Sequence, residues 1–218
     1  EKLAREVDDL FTAEGIGETR AVIVMHGGEI AAERYADGFE PDTRFIGWSM
    51  SKTVTGVLIG MLVADGRLRL DEPAPVEHWQ RAGDPRGEIT LRHLMQMRSG
   101  LRHEEMAEPI YESPEVRMLF LDGRDDMARF AEAQPLEYEP GTRFEYSTPS
   151  TVILSDIIAR VLAPEGDAAA RRQAVDTFLR GRLSGPLGMD SLFAEYDAAG
   201  TLIASSACQM TCTRTGLR

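Results

Sequence analysis

Apolar residues at the start of the chain recur with the period of an α-helix. Leu3, Val7, Leu10 and Phe11 fall on one face of a helix predicted over residues 2–14, because they are spaced three or four positions apart. A glycine follows directly, and glycine commonly ends a helix. The pattern therefore predicts an amphipathic helix with one buried face.

Two strands joined by a tight turn are predicted next. Residues 21–25 are all apolar, and residues 30–35 form a second run that starts with an isoleucine. Gly27 and Gly28 lie between the two runs, and a glycine pair favours a two-residue hairpin turn. The sequence indicates an antiparallel β-hairpin.

A longer apolar stretch follows and predicts a buried helix that continues to Ala64. The glycines of this helix, Gly56 and Gly60, are expected to let neighbouring elements pack closely. Its buried stripe is expected to consist of Val54, Val57, Leu58, Met61 and Leu62.

Helix-start signals recur through the middle of the chain. Capping residues, some followed by proline, precede apolar residues at helical spacing. Helices are predicted to start at or near Thr90, Ser113, Met127, Thr148 and Asp167, the first closing at Gly100 and the last ending at Leu183. Residues 70–184 are therefore expected to be mostly helical, and a short strand is expected over residues 201–205.

The candidate chemistry lies at the start of the apolar helix. Ser49 is placed at the helix entry, and Lys52 lies three residues later on the same helical face. Free backbone N–H groups and the helix dipole at this end would stabilise a developing negative charge. Desolvation by the apolar helix would favour the neutral amine that a general base requires. The spacing indicates a serine nucleophile activated by a lysine.

The use of basic residues supports a special role for this lysine. Of the 24 basic residues, only Lys2 and Lys52 are lysines. Arginine stays protonated in proteins, so it cannot serve as a general base. Taken alone, the Ser-x-x-Lys spacing is also compatible with a surface lysine near an N-cap serine.

Two other serine arrangements fit the sequence less well. A nucleophile elbow of the α/β-hydrolase type needs Gly-x-Ser-x-Gly, but Ser51 stands where the second glycine would be. Ser51 is itself a rival nucleophile. It is adjacent to Lys52, however, and adjacent residues on a helix do not face each other. We expect the Ser51 hydroxyl to bond to a nearby backbone group instead.

Tyr146 is the candidate for passing a proton to the leaving group. It follows the turn at residues 140–142 and precedes the helix start at Thr148, so its hydroxyl can reach from a loop to a neighbouring helix end. An aromatic plug between helices is the alternative role for this side chain.

Composition limits the partners and cofactors. The formal net charge of −12 argues against binding to nucleic acid or to anionic membranes. No apolar run approaches the roughly 20 residues needed to cross a bilayer. Cys208 and Cys212 form no zinc pattern with the four histidines, and no cofactor is expected. The chain begins with Glu1 rather than Met, so a cytoplasmic and a periplasmic or secreted location both stay open. The sequence also leaves the oligomeric state open.

Five stretches carry a family resemblance. They are residues 45–52 with the Ser-x-x-Lys pattern, 68–73, 89–101, 140–147 and 185–189. Together they resemble the serine β-lactamase and penicillin-binding protein superfamily, in its class C-like branch of esterases, 6-aminohexanoate-dimer hydrolases and D-amino-acid peptidases. The resemblance implies that Ser49 is the acyl-accepting nucleophile, Lys52 the base, and Tyr146 the tyrosine of a Tyr-x-Asn motif.

The resemblance also implies the fold. We expect an α/β architecture of the α+β type, in which an antiparallel sheet is flanked by helices and an all-helical domain is inserted. Residues 1–69 would begin the α/β domain, residues 70–184 would form the helical domain, and residues 185–218 would return to the α/β domain. The site would lie in the cleft between the domains.

Thr148 departs from the family pattern and affects the expected substrate. It replaces the asparagine of Tyr-x-Asn, and the chain contains no asparagine at all. The amide that would bind a substrate carbonyl is therefore missing, which favours esters or unusual amides over β-lactams and peptides. Thr148 and Trp48 are the predicted substrate-binding residues.

A second departure concerns the family's third motif, Lys/His-Thr/Ser-Gly on a strand beside the serine. Only Arg214-Thr215-Gly216 imitates it, without an apolar strand around it. In the family one oxyanion-hole N–H follows this motif, and loss of such a donor costs roughly 100- to 1000-fold in rate. We therefore expect the chain to stop before the last strands of the fold.

The sequence predicts a serine hydrolase that acts on a small-molecule ester or amide through an acyl-enzyme on Ser49. A β-lactamase or D-Ala-D-Ala carboxypeptidase is the second interpretation. A non-catalytic scaffold or binding protein with the same fold is the third.

Overall fold

The computed structural model describes residues 2–189, 191–203 and 208–211. The chain divides into two compact units. Unit 1 consists of Glu1–Ile46, Arg180–Phe193 and Gln209–Arg218, and unit 2 of Gly47–Leu179 and Ala194–Cys208. Ser49, Lys52, Tyr146 and Thr148 all lie in unit 2. The three-part domain division stays a prediction.

Unit 1 begins with the predicted helix and hairpin. Helix α1 spans Lys2–Thr12, and strands β1 (Ala21–His26) and β2 (Glu29–Tyr35) pair antiparallel. Gly27 and Gly28 both have positive φ, which a two-residue hairpin turn of the favoured hand requires. The predicted hairpin is confirmed.

A second sheet consists of three short strands that the sequence did not indicate. Strands β3 (Arg44–Ile46), β4 (Phe193–Ala194) and β5 (Cys208–Thr211) are ordered β3-β5-β4, and β3 and β5 are antiparallel. The strand predicted over residues 201–205 lies partly outside the described residues, and Leu202 forms only an isolated bridge. Residues 212–218, with Cys212 and the imitated third motif, also lie outside them.

Unit 2 is built around one buried helix. Helix α6 (Thr148–Leu162) is buried along its first twelve residues. It is surrounded by α2 (Ser51–Ala64), α3 (Leu91–Met95), α4 (Pro114–Phe120), α5 (Met127–Glu132) and α7 (Ala168–Leu179). The predicted α/β class with a helical middle is confirmed. In the described part of the chain, no helix has the length and apolar content to cross a bilayer.

The predicted helix starts are confirmed by their caps. Thr90 Oγ1 accepts the N–H of His93 at 3.1 Å, and Ser113 Oγ accepts the N–H of Val116 at 3.3 Å. The predicted end of α3 at Gly100 is wrong, because the helix stops at Met95. The chain turns away early so that the carbonyl of Gly100 can accept the N–H groups of residues 137 and 138.

The buried face of α2 differs from the predicted stripe. It consists of Ser51, Val54, Thr55, Leu58, Ile59 and Leu62. Val57 is 38% exposed, because the helix turns Thr55 towards α6, where its hydroxyl lies 3.4 Å from that of Ser155. The predicted close approach at the glycines is also wrong: a Cβ at Gly56 would make only an ordinary contact, and one at Gly60 would meet nothing among the described residues.

Candidate functional site

Ser49 lies in a single 3₁₀ turn, Trp48–Met50, that leads directly into α2. The N–H of Met50 donates to the carbonyl of Gly47 at 3.1 Å and closes this turn. The Ser49 side chain is exposed, just before the first residue of a fourteen-residue helix. The free N–H groups and the positive dipole end of that helix are therefore next to its hydroxyl.

Trp48 holds an unusual backbone conformation beside the serine. Its φ is +45°, a region that non-glycine residues rarely adopt and that is enriched at functional sites. The indole is 56% exposed. The predicted role of Trp48 in substrate binding stays a prediction, and its side chain is accessible to a ligand.

The structure brings three of the sequence-predicted residues together. Lys52 Nζ donates a hydrogen bond to Ser49 Oγ at 2.9 Å. The same nitrogen lies 5.0 Å from the centroid of the Tyr146 ring, within the range of a cation–π contact. Lys52 is half-buried, so its amine is partly shielded from solvent. Tyr146 is 41% exposed, so this side of the three-residue cluster stays accessible to solvent.

Ser51 is excluded as a nucleophile by burial. It is 2% exposed, and its hydroxyl has no hydrogen-bond partner among the described residues. The prediction that it bonds to a nearby backbone group is therefore wrong. Ser51 is the first residue of α2 rather than its N-cap, and it lies on the buried face of the helix.

Thr148 is occupied by a contact that the sequence did not reveal. Its N–H and its hydroxyl both donate to Glu105 Oε1, at 3.2 and 2.9 Å. Thr148 is 1% exposed. Its predicted role in substrate binding stays a prediction, and its observed hydrogen bonds point to the protein rather than to open space.

Glu115 places a second carboxyl group beside Thr148. Burial raises its pKa, and the nearby charge of Glu105 raises it further, whereas a hydrogen bond with Thr148 and the charge of Lys52 oppose the shift. Two acidic side chains therefore lie at the start of α6, and Glu115 is near enough to the candidate base to interact with its charge. The sequence marked Glu115 only as part of a helix start, and nothing local distinguished Glu105.

His103 is buried behind the start of α6. It is 1% exposed, with Nε2 at 3.1 Å from the carbonyl of Ala131 and Nδ1 at 3.0 Å from Ser147 Oγ. A carbonyl can only accept, so the proton resides on Nε2, and Nδ1 is left as an acceptor facing the hydroxyls of Ser147 and Ser150. Burial lowers the pKa of His103 to about 4. Sequence reasoning missed this residue, which no local motif marks.

The buried histidine should make the protein less stable in acid. His103 binds a proton near pH 6.5 when unfolded but only near pH 4 when folded, so the free energy of unfolding should fall as pH drops through this window. The expected loss is about 3 kcal/mol. The difference in urea unfolding between the wild type and His103→Gln at several pH values measures it, because other buried groups titrate in the same window. Imidazole NMR resonances of His103 that titrate near pH 6.5 in the folded protein would contradict the prediction.

Within the described residues, no group of three His, Cys, Asp or Glu side chains is arranged to hold a metal ion. The site does bring an amine and a hydroxyl to hydrogen-bond distance, with a phenol ring near the same amine, and such an arrangement is suited to proton transfer.

Comparison with known proteins places this chain in a family. The family model described as beta-lactamase matches residues 7–204. The 6-aminohexanoate-dimer hydrolase of Paenarthrobacter ureafaciens is 26% identical over 153 residues, which cover 66% of this chain and 38% of that protein.

Solved structures show the same fold. A candidate 6-aminohexanoate-dimer hydrolase from Bacillus anthracis aligns with a TM-score of 0.71 at 21% identity, covering 96% of this chain and 53% of that one. A candidate beta-lactamase from Bacteroides dorei aligns with a TM-score of 0.69 at 21% identity, covering 96% and 59%. The chain thus spans between about two fifths and three fifths of the length of these proteins. Since the family model matches most of the sequence, the resemblance is confirmed and the chain belongs to the beta-lactamase family.

Proposed function

We propose that this chain carries the nucleophile, base and proton-transfer residues of a serine hydrolase. The observation that supports this proposal most directly is the 2.9 Å hydrogen bond between Lys52 Nζ and Ser49 Oγ at an exposed helix entry. The name of the curated relative described above and the family membership agree with a hydrolase. Acyl transfer through Ser49 is the reaction that these side chains can perform.

Acylation begins with proton transfer from the serine to the lysine. The neutral amine of Lys52 removes the proton of Ser49 Oγ, which then bonds to the carbonyl carbon of the ester or amide. The resulting oxyanion develops next to the N-terminal end of α2. Tyr146 passes the proton on to the leaving alcohol or amine as its bond to the carbonyl carbon breaks.

Deacylation repeats these steps with water as the nucleophile. A water molecule gives a proton to the Lys52–Tyr146 pair and attacks the acyl carbon. The bond between that carbon and Ser49 Oγ then breaks, the proton returns to the serine, and a carboxylic acid leaves. The enzyme is restored without any net change in protonation.

The substrate class follows from Thr148. An asparagine at this position would offer an amide to the substrate carbonyl, whereas the Thr148 hydroxyl donates to Glu105. We infer that short esters and unusual amides are accepted better than β-lactams. The curated relative is named for the 6-aminohexanoate dimer, which is therefore the first amide to test.

Replacing the nucleophile should abolish the reaction. We expect Ser49→Ala to lower kcat/KM for a chromogenic short-chain ester by about 10⁴-fold or more, because it removes the hydroxyl that is hydrogen-bonded to the Lys52 amine. Ser51→Ala is the matched control, since it removes a buried hydroxyl two positions away. Full activity of Ser49→Ala would reject the proposal.

Two further measurements separate the alternatives. Intact-mass spectrometry after penicillin treatment would show a stable adduct on Ser49 if the protein is a β-lactamase or D-Ala-D-Ala carboxypeptidase. Failure of a fluorophosphonate probe to label a folded sample would instead favour a non-catalytic scaffold.

A further inference from the structure

The loop that carries Tyr146 is held on both sides by hydrogen bonds. Before the tyrosine, the N–H of Glu145 donates to the carbonyl of Met97 at 2.9 Å. After it, Ser147 Oγ bonds to buried His103, and Thr148 makes two bonds to Glu105. The tyrosine that faces Lys52 is therefore fixed by its neighbours along the chain.

Glu105 is the anchor that contacts both the backbone and the side chain of α6. Its Oε1 accepts the N–H and the hydroxyl of Thr148, the first residue of a fifteen-residue helix. A carboxylate at a helix N-terminus satisfies a free N–H group and interacts favourably with the dipole. Because Thr148 is two positions after Tyr146, these bonds restrain the direction in which the loop presents the phenol.

Glu105 is itself held in place from a third element. The buried hydroxyl of Ser113, which caps α4, lies 3.1 Å from the carbonyl of Glu104 and 2.7 Å from that of Glu105. The start of α4 thus fixes the backbone of Glu105, and Glu105 fixes the start of α6. This is a continuous set of contacts within unit 2 that ends at the tyrosine beside the candidate base.

We propose that Glu105 is a positioning residue that keeps Tyr146 against Lys52 by holding Thr148. Its catalytic consequence rests on the proposed function, in which Tyr146 gives a proton to the leaving group. A displaced tyrosine would penalise substrates whose leaving group needs that proton, and a misplacement of about 1 Å costs as much as 100-fold. Substrates with a good leaving group would be affected much less.

The scarcity of lysine allows the position of Tyr146 to be measured directly. Reductive methylation with ¹³C-formaldehyde labels only Lys2, Lys52 and the terminal amine, so the Lys52 signal can be assigned with a Lys52→Arg sample. The Tyr146 ring, 5.0 Å from Lys52 Nζ, should shift this signal, and Tyr146→Ala should remove the shift. We expect Glu105→Ala to remove most of it and Glu105→Gln, which still accepts from Thr148, to keep it.

Kinetics give the second readout. In Glu105→Ala, kcat/KM for an alkyl ester should fall by about 100-fold, and kcat/KM for the matching nitrophenyl ester should fall much less. Loss of folded protein would lower both equally. Glu104→Ala is the matched control, because it removes the same charge from the neighbouring exposed position.

The outcomes separate this proposal from the proposed function. A wild-type Lys52 signal in Glu105→Ala overturns the positioning role, and so does an unchanged ratio between the two esters. If the wild-type protein hydrolyses no ester, the hydrolase function fails, and the Lys52 signal alone decides whether Glu105 positions Tyr146.

Discussion

Replacing Lys52 by arginine should lower kcat/KM for ester hydrolysis by about 1000-fold. Arginine keeps the positive charge and can still contact the Tyr146 ring, but it cannot give up its proton to become a base. The expected loss therefore isolates proton transfer from simple charge stabilisation. Initial rates with a chromogenic ester measure it.

Lys2→Arg is the matched control for this experiment. It makes the same exchange at the only other lysine, which lies in α1 within unit 1. The control should retain the wild-type rate. A Lys52→Arg variant that stays within a few-fold of the wild type would show that Lys52 does not act as the base and that its hydrogen bond to Ser49 only orients the hydroxyl.

The serine–lysine pair could be predicted because it depends only on local geometry. Positions three apart on a helix face the same side, so the spacing of Ser49 and Lys52 already fixes their proximity. The hairpin turn and the helix caps are equally local, and a glycine pair or a capping residue specifies them without reference to distant chain.

The supporting residues could not be predicted, because their partners are far away in sequence. Glu105 is 43 residues from Thr148, and His103 is 44 residues from Ser147. Each is unremarkable in its own segment and gains its role only when the 103–105 loop meets the start of α6. The buried face of α2 was mispredicted for the same reason: the partner hydroxyl of Thr55 lies 100 residues away, on Ser155.

A buried carboxyl in unit 2 should make the protein lose stability in alkali. Glu132, the last residue of α5, is 1% exposed, and its Oε1 has no hydrogen-bond partner among the described residues. Its Oε2 lies 3.7 Å from His78 Nδ1. Burial raises the pKa of Glu132 to about 8; the charge of Asp156 acts in the same direction, and that of Arg160 opposes it.

The direction of the pH dependence follows from proton binding. Between about pH 4.5 and about pH 8 the folded protein keeps the proton of Glu132, whereas the unfolded chain has lost it. The folded state therefore binds more protons, and the free energy of unfolding falls as pH rises through this window. This contribution to the free energy of unfolding is fully present below about pH 4.5, is lost above about pH 8, and amounts to about 5 kcal/mol.

Glu132→Gln should remove this dependence, because an amide of nearly the same shape cannot ionise. Near pH 5 the variant and the wild type should unfold at similar urea concentrations, and near pH 9 the variant should be more stable by about 4 kcal/mol. Glu137→Gln, at an exposed position after α5, is the control that should follow the wild type. Equal unfolding free energies of the wild type and Glu132→Gln at both pH values would mean that Glu132 is ionised in the folded protein, with its charge compensated by the neighbouring arginine of α6.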